Sequence, residues 1–248
     1  MITFSRLFAA IALGIAVLGT GAAQAQSFTP QQRGEIETII RDYFLKHPEM
    51  IEELQALAQT AKVKKTISEN KDTLLNSPRQ VTLGNPNGDV TMVEFFDYNC
   101  GYCKRALDDM MTLIKANPNL RVVLKEMPVL SQGSMEAAQV AAAVAMQDKN
   151  GKRYLDFHQK LLSGRGQVDK ARALAAAKEV GADMAKIEKD MNGPEVKAAL
   201  QESFALAEAL GFQGTPSYVI GDETIVGAVG VKELQSKINT ARCGKAIC

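Results

Sequence analysis

The chain has 248 residues, with 29 Lys and Arg against 28 Asp and Glu, and a leader carrying Arg6 as its one charged side chain leaves 28 of each once removed. That balance gives no electrostatic footprint for nucleic acid or an anionic membrane surface. The length suits one large domain or a core domain with an appendage, and four cysteines are too few to frame a disulfide-built fold of this size.

Residues 1–25 read as a signal peptide. Met1 to Arg6 gives a basic start, and Leu7 to Leu18 is an unbroken apolar run too short to span a bilayer comfortably. Ala23-Gln24-Ala25 then supplies a small-x-small cleavage site, placing the mature start at Gln26. The competing reading is an uncleaved membrane anchor. No cysteine lies near the cleavage site, so a lipid-modified start is not expected. Export implies an oxidising compartment, where a cysteine pair can persist as a disulfide.

Residues 26–78 read as a helical extension. Thr29-Pro30 opens a helix with a hydroxyl N-cap and proline at the first helical position. Ile36, Ile39, Ile40 and Tyr43 recur on one face, and His47-Pro48 interrupts the pattern. A second helix is predicted from Pro48 to about Leu75, with Met50, Leu54, Leu57 and Ala61 in line. Beyond Ala61 the seam fades into Lys62, Lys64, Lys65 and Glu69, which excludes a sustained heptad coiled coil. Two readings stay open: helices packed on the core domain, or an arm (residues 26–76) that joins copies of the chain.

Residues 79–248 read as the main domain. Val81 to Leu83 is a short strand, Gly84 to Asp89 is turn chemistry, and Val90 to Asp97 is a buried strand leading into Cys100-Gly101-Tyr102-Cys103. A helix follows from Cys100 to about Lys115, and Leu120 to Met127 is the next strand. Strand, helix and strand in that order call for a parallel crossover. From Ser134 to about Gly211 the pattern is helical, with Asp169 and Asp183 as caps and Pro194 starting the last helix. Ser217 to Ile220 and Thr224 to Ala228 make an antiparallel hairpin, and Val231 to Ala241 closes the chain as an amphipathic helix.

The dithiol carries the chemistry. A helix N-terminus offers unpaired N–H groups and partial positive charge, both of which favour a thiolate. Zinc would need two further ligands, and only His47, His158 and the terminal cysteines are on offer, without a second pair at finger-like spacing. A purely structural disulfide across so small a ring gains little from loop closure. Redox catalysis is the remaining reading, with Cys100 as the nucleophile and Cys103 as the resolving thiol. Glu94 falls on the strand face of Met92 and Phe96 by period-two counting, where a carboxyl of raised pKa can relay a proton to or from Cys103. Lys125 on the next strand is its expected partner; an ion pair that merely satisfies a buried charge is the alternative. Cys243 and Cys248 are expected to close a small disulfide pinning the C-terminus, with an intermolecular link or second redox pair as the alternative. His158 is given no role.

With the helical block removed, a βαβ unit joins a ββα unit. In this order the chain resembles the thioredoxin fold, and specifically the DsbA-like family of bacterial periplasmic thiol–disulfide oxidoreductases, from about Val81 to Ala241. The resemblance implies an α/β thioredoxin fold with a helical domain inserted at about 131–211, no metal and no organic cofactor. Glu94 and Lys125 match family positions. It implies a cis bond at Thr215-Pro216 beside the dithiol, with Thr215 pairing its backbone with an extended substrate segment and Tyr102 also at the substrate. Cys-Gly-Tyr-Cys and the threonine before the proline are similar to DsbC-type isomerases, which are oligomers. The function so implied is forming or isomerising disulfides in exported cysteine-containing proteins, with a membrane redox partner. A periplasmic holdase or peptide-binding protein with a non-catalytic disulfide is the alternative.

Overall fold

The computed structural model of the protein describes residues 28–148 and 150–248; the signal peptide expected at 1–25 lies outside them. The chain divides into two compact units, one up to Glu53 and one from Leu54 to Cys248, so the extension expected at 26–78 crosses the division. Helix α1 (Pro30–Lys46) starts on a full capping box: the Thr29 hydroxyl accepts from the Gln32 N–H at 3.2 Å, and the Gln32 side chain accepts from the Thr29 N–H at 2.9 Å. None of its residues is buried. The single second helix of the sequence reading is two, α2 (Glu49–Glu69) and α3 (Lys71–Asn76). They part at Asn70, whose amide donates back to the Thr66 carbonyl at 2.9 Å in competition with the helical ladder.

The main unit continues with β1 (Val81–Gly84), β2 (Val90–Phe96), α4 (Gly101–Ala116) and β3 (Leu120–Glu126). Five helices follow: α5 (Gln132–Ala145), α6 (Lys152–Ser163), α7 (Lys170–Glu179), α8 (Met184–Asp190) and α9 (Pro194–Leu210). The chain then returns as β4 (Ser217–Ile220), β5 (Glu223–Val226) and α10 (Val231–Cys243). Asp169 and Asp183 cap α7 and α8 as expected, each carboxylate accepting a backbone N–H three residues on. β5 stops two residues short of the expected Ala228 because Gly227, at φ 93°, turns the chain out of the strand.

The strands form one sheet in the order β1-β3-β2-β4-β5. β2 and β3 run parallel, as a strand–helix–strand crossover requires, and the other neighbours are antiparallel. Side chains alternate across the sheet, and both faces are covered. One face presents Met92, Phe96, Val122, Leu124, Tyr218 and Ile220 to α4, to α10 and to the helical insertion. The other presents Val93, Phe95, Val123 and Val219 to Ile67, Leu74, Leu206, Leu210 and Phe212. α4 is anchored to the first face by Cys103, Ala106, Leu107, Met110 and Leu113. Full burial of a Leu or Met there is worth about 1.5–3 kcal/mol each, which fixes the start of α4 over the sheet. Among the described residues no helix is long and apolar enough to cross a membrane.

Candidate active site

β2 ends at Phe96 and α4 starts at Gly101, so the turn from Asp97 to Cys100 carries the first sulfur to the helix entrance. Cys100 is the N-cap of α4, and no side chain caps the first-turn N–H groups. Those of Tyr102 and Cys103 are left to face the Cys100 sulfur. Cys103 lies one turn in and is fully buried, and both cysteines are free thiols.

Their acidities diverge. The Cys103 S–H donates to the Cys100 sulfur and, with the Thr215 side chain and the two backbone N–H groups, brings Cys100 down from 9.0 to about 5. Burial, the bond to Cys100 and the nearby Glu94 charge push the Cys103 thiol far above its ordinary value. At neutral pH the pair therefore holds one thiolate at Cys100 and one proton at Cys103.

Thr215-Pro216 lies against this sulfur and its peptide bond is cis, as the family resemblance implied. The Cys100 sulfur lies 3.1 Å from the Thr215 carbonyl oxygen, to which it donates only when it carries its proton. The Thr215 hydroxyl is buried without a hydrogen-bond partner among the described residues, which leaves it free to donate to the Cys100 thiolate and lower its pKa. Tyr102 is 58% exposed on the outer side of the turn, with the Arg105 guanidinium 4.6 Å from its ring centroid.

Glu94 stands where period-two counting put it, on the face of Met92 and Phe96 beneath α4, and is 3% exposed. Burial, the Asp109 charge and the Cys100 charge raise its carboxyl from 4.5 to about 8. The expected partner is elsewhere. In the parallel register Glu94 pairs with Leu124 and Phe95 with Lys125, so Lys125 points to the opposite face of the sheet. Its ammonium donates to the Thr73 carbonyl at 2.9 Å and to Glu202 Oε1 at 3.0 Å. Lys125 therefore forms a buried ion pair with Glu202, not the expected pair with Glu94.

The turn before Cys100 is held by residues that the sequence reading passed over. Asp97 accepts from the N–H groups of Asn99 (2.7 Å), Val129 (2.9 Å) and Leu130 (3.0 Å). The Asn99 amide donates to the Val168 carbonyl at 2.9 Å and accepts from the Val168 N–H at 2.7 Å, tying the turn to the loop before α7. Asp and Asn two apart just before a helix are a turn signal that could have pointed to Asp97; the Val168 end carries none. Beneath the turn, Tyr98, Tyr154, Glu126 and His158 form a buried chain: Tyr154 donates to Glu126 at 2.7 Å, its oxygen lies 3.2 Å from that of Tyr98, and His158 Nδ1 lies 3.3 Å from Tyr98. Burial brings His158 down to about 3, so the imidazole is neutral. The Cys243–Cys248 disulfide is present, joining the end of α10 to the exposed segment beyond it.

A domain family described as DSBA-like thioredoxin matches residues 91–239, which include the dithiol, Glu94 and the cis-proline. The chain belongs to that family. Among solved structures, this DsbA-like chain is similar to a thioredoxin-like oxidoreductase from Silicibacter pomeroyi, at 44% identity and a TM-score of 0.66, covering 70% of this chain and 98% of that one. It is also similar to a linker-deletion mutant of Proteus mirabilis ScsC, at 28% identity and a TM-score of 0.73, covering 88% and 98%. The thiol:disulfide interchange protein DsbA of Bordetella pertussis is 26% identical over 146 residues, 57% of this chain and 68% of that protein. Two Na(+)/H(+) antiporters, from Salinispora arenicola and Herminiimonas arsenicoxydans, match at 24% identity, and the chain spans only about a quarter (24% and 25%) of their length.

Proposed function

We propose that this DsbA-like protein is a periplasmic thiol–disulfide oxidoreductase acting on cysteines of exported proteins. The observation that carries the reading is the split dithiol: a Cys100 thiolate at the helix entrance beside Thr215, and a buried, protonated Cys103. As an oxidant, the Cys100–Cys103 disulfide is attacked at Cys100 by a substrate thiolate. Cys103 leaves, takes a proton from Glu94, and a second substrate thiolate then displaces Cys100 to close the substrate disulfide. In the other direction the Cys100 thiolate attacks a mispaired substrate disulfide, and release follows either from a second substrate thiol or from Cys103. The Thr215 backbone and Tyr102 supply the substrate contact, the first by strand-like pairing and the second through an exposed aromatic face.

Two features favour reshuffling over one-way oxidation. Gly101-Tyr102 places no charged side chain between the sulfurs, and each pKa unit of thiolate stabilisation is worth about 1.4 kcal/mol, equal to about 30 mV for this couple. Compared with a dithiol that has a histidine there, this couple is a milder oxidant, regenerated by a membrane redox partner. The N-terminal arm is the second feature. α1 leaves Ile36, Ile39, Ile40 and Tyr43 exposed on one face, and a second copy of the chain covers that face and brings the dithiols of the copies together. Because Ile67 and Leu74 pack on the sheet, truncation must stop at Glu53. The shortened protein is expected to have a lower mass in solution than the mature chain; equal protomer number in both removes the arm from the proposal.

The test of the activity is Cys100→Ala in two assays, insulin reduction and refolding of a scrambled disulfide protein. Both activities should fall to background. Full activity of the variant in both would overturn the catalytic reading.

A further inference from the structure

β4 carries a phenol that the mechanism above does not use. Tyr218 is 1% exposed, and its hydroxyl has no hydrogen-bond partner among the described residues. An unpaired buried hydroxyl is costly, and phenylalanine fills the same space without it. Tyr218 lies directly opposite Glu94 in the antiparallel register of β2 and β4. Opposite residues rise from the same face with Cβ atoms about 5 Å apart. Over that face sits the start of α4, and Cys100 and Cys103 belong to the same buried cluster as Tyr218.

Among the described residues Glu94 has no positive partner. α4 brings Cys100, Cys103 and Asp109 near it, all of them neutral or negative. β3 brings Leu124, and α10 buries only Leu234 and Ile238 against the sheet, its Lys237 being paired with Glu223 at 2.6 Å. Tyr218 is thus the neutral donor nearest in register to a carboxyl that no cation among the described residues offsets. Burial, then the charges of Glu94 and Cys103, push the phenol far above its ordinary value, so it keeps its proton throughout the working range.

We propose that Tyr218 is a positioning residue for proton exchange between Cys103 and Glu94, its hydroxyl donating to the Glu94 carboxylate while that group is charged. The inference rests on Glu94 being the proton carrier of Cys103. In the resolving step Cys103 attacks Cys100 in the mixed disulfide. The Cys100–Cys103 bond forms, the bond to the substrate sulfur breaks, the substrate leaves as thiolate, and the Cys103 proton passes to Glu94. The Cys103 sulfur is oxidised, the substrate sulfur is reduced, and Cys100 stays at the disulfide level. In resting enzymes such hydrogen bonds are often long and tighten only as charge develops, in keeping with a hydroxyl that is unpaired here. Burial keeps Glu94 basic, and Tyr218, by stabilising the carboxylate, keeps it ionised often enough to receive the proton near neutral pH.

The experiment follows formation of the Cys100–Cys103 disulfide from the glutathione mixed disulfide of the reduced, full-length protein, by acid quench between pH 6 and 10. The rate should climb with a midpoint set by Glu94. Tyr218→Phe should move that midpoint up by about one pH unit, slowing the step about tenfold at pH 7. Glu94→Gln should remove the limb, and adding Tyr218→Phe to it should change nothing more. Tyr218→Phe deletes an oxygen without a partner, so its urea midpoint should equal or exceed the parent's. If Glu94→Gln removes the limb but Tyr218→Phe superimposes on the parent, Tyr218 has no such role and Glu94 keeps its own. If the limb survives Glu94→Gln, both assignments fall. A Tyr218→Phe shift that persists in the Glu94→Gln protein also overturns the proposal, because Tyr218 then acts through another group.

Discussion

Glu94 and Lys125 stand on neighbouring strands, one register step apart and almost equally buried, yet they meet opposite conditions. Lys125 reaches a carboxylate and a carbonyl at hydrogen-bond distance on one face of the sheet. Glu94 faces two thiols, an acidic side chain and a phenol on the other, and its carboxyl is pushed up to about 8. A buried charge with partners is scaffold, since its desolvation is offset where it sits. A buried acid without them titrates near neutral pH, and here it does so close to Cys103, the sulfur that gains and loses a proton in the proposed mechanism. The difference between the faces separates the part of the sheet that holds the fold from the part to which the proposed chemistry is assigned.

The largest effect that sharpens this contrast is on the pH dependence of stability in the reduced protein. Folded Cys100 ionises at about 5 against an ordinary 9.0, and folded Glu94 at about 8 against 4.5. Between those limits the folded chain has moved one proton from cysteine to glutamate without changing the number bound. The pair should therefore add no slope to stability from pH 5 to 8. Cys100→Ser leaves Glu94 alone, still raised chiefly by burial. Its stabilisation is complete below the ordinary pKa and is lost as pH climbs to the folded value, by up to about 1.4 kcal/mol per unit. Glu94→Gln leaves Cys100 alone, still lowered chiefly by the Cys103 S–H. Stability should then rise with pH from about 5, the opposite sign. Urea unfolding under reducing conditions at pH 5, 6.5 and 8 reads both slopes; two flat lines would mean that neither group is perturbed in the folded state.

Much of the scaffold was legible because its causes are local. The hydroxyl N-cap at Thr29, the carboxylate caps at Asp169 and Asp183, and the N-cap position of Cys100 each depend on a few neighbouring residues. The face of Glu94 followed from alternation within one strand. The face of Lys125 did not, because its relation to Glu94 depends on how β2 and β3 are registered, and a one-residue step sends a side chain through the sheet. Glu202, which holds Lys125, is 77 residues further on in α9, and Val168, which holds Asn99, is 69 residues on. Nothing in the spacing of those residues marks such pairs. The cis bond at Thr215-Pro216 was expected only through resemblance to a family, since local sequence favours trans at most X–Pro bonds.

A smaller effect asks whether the two faces are independent. Lys125→Met removes the ammonium and leaves the Thr73 carbonyl without its donor, while Glu202 keeps Arg79 at 3.7 Å. Because that second cation remains, the loss should fall near the low end for a broken buried pair, about 2–4 kcal/mol in urea unfolding. Adding Glu202→Leu should recover part of it by removing the other half of the pair, a coupling that a double-mutant cycle measures directly. Neither change should move the Glu94-dependent midpoint of the resolving step, since Lys125 is on the far side of β3 and contributes nothing to the Glu94 shift. If Lys125→Met displaced that midpoint as far as Tyr218→Phe is expected to, the sheet would be transmitting charge between its faces, and the division into a scaffold face and a chemical face would fail.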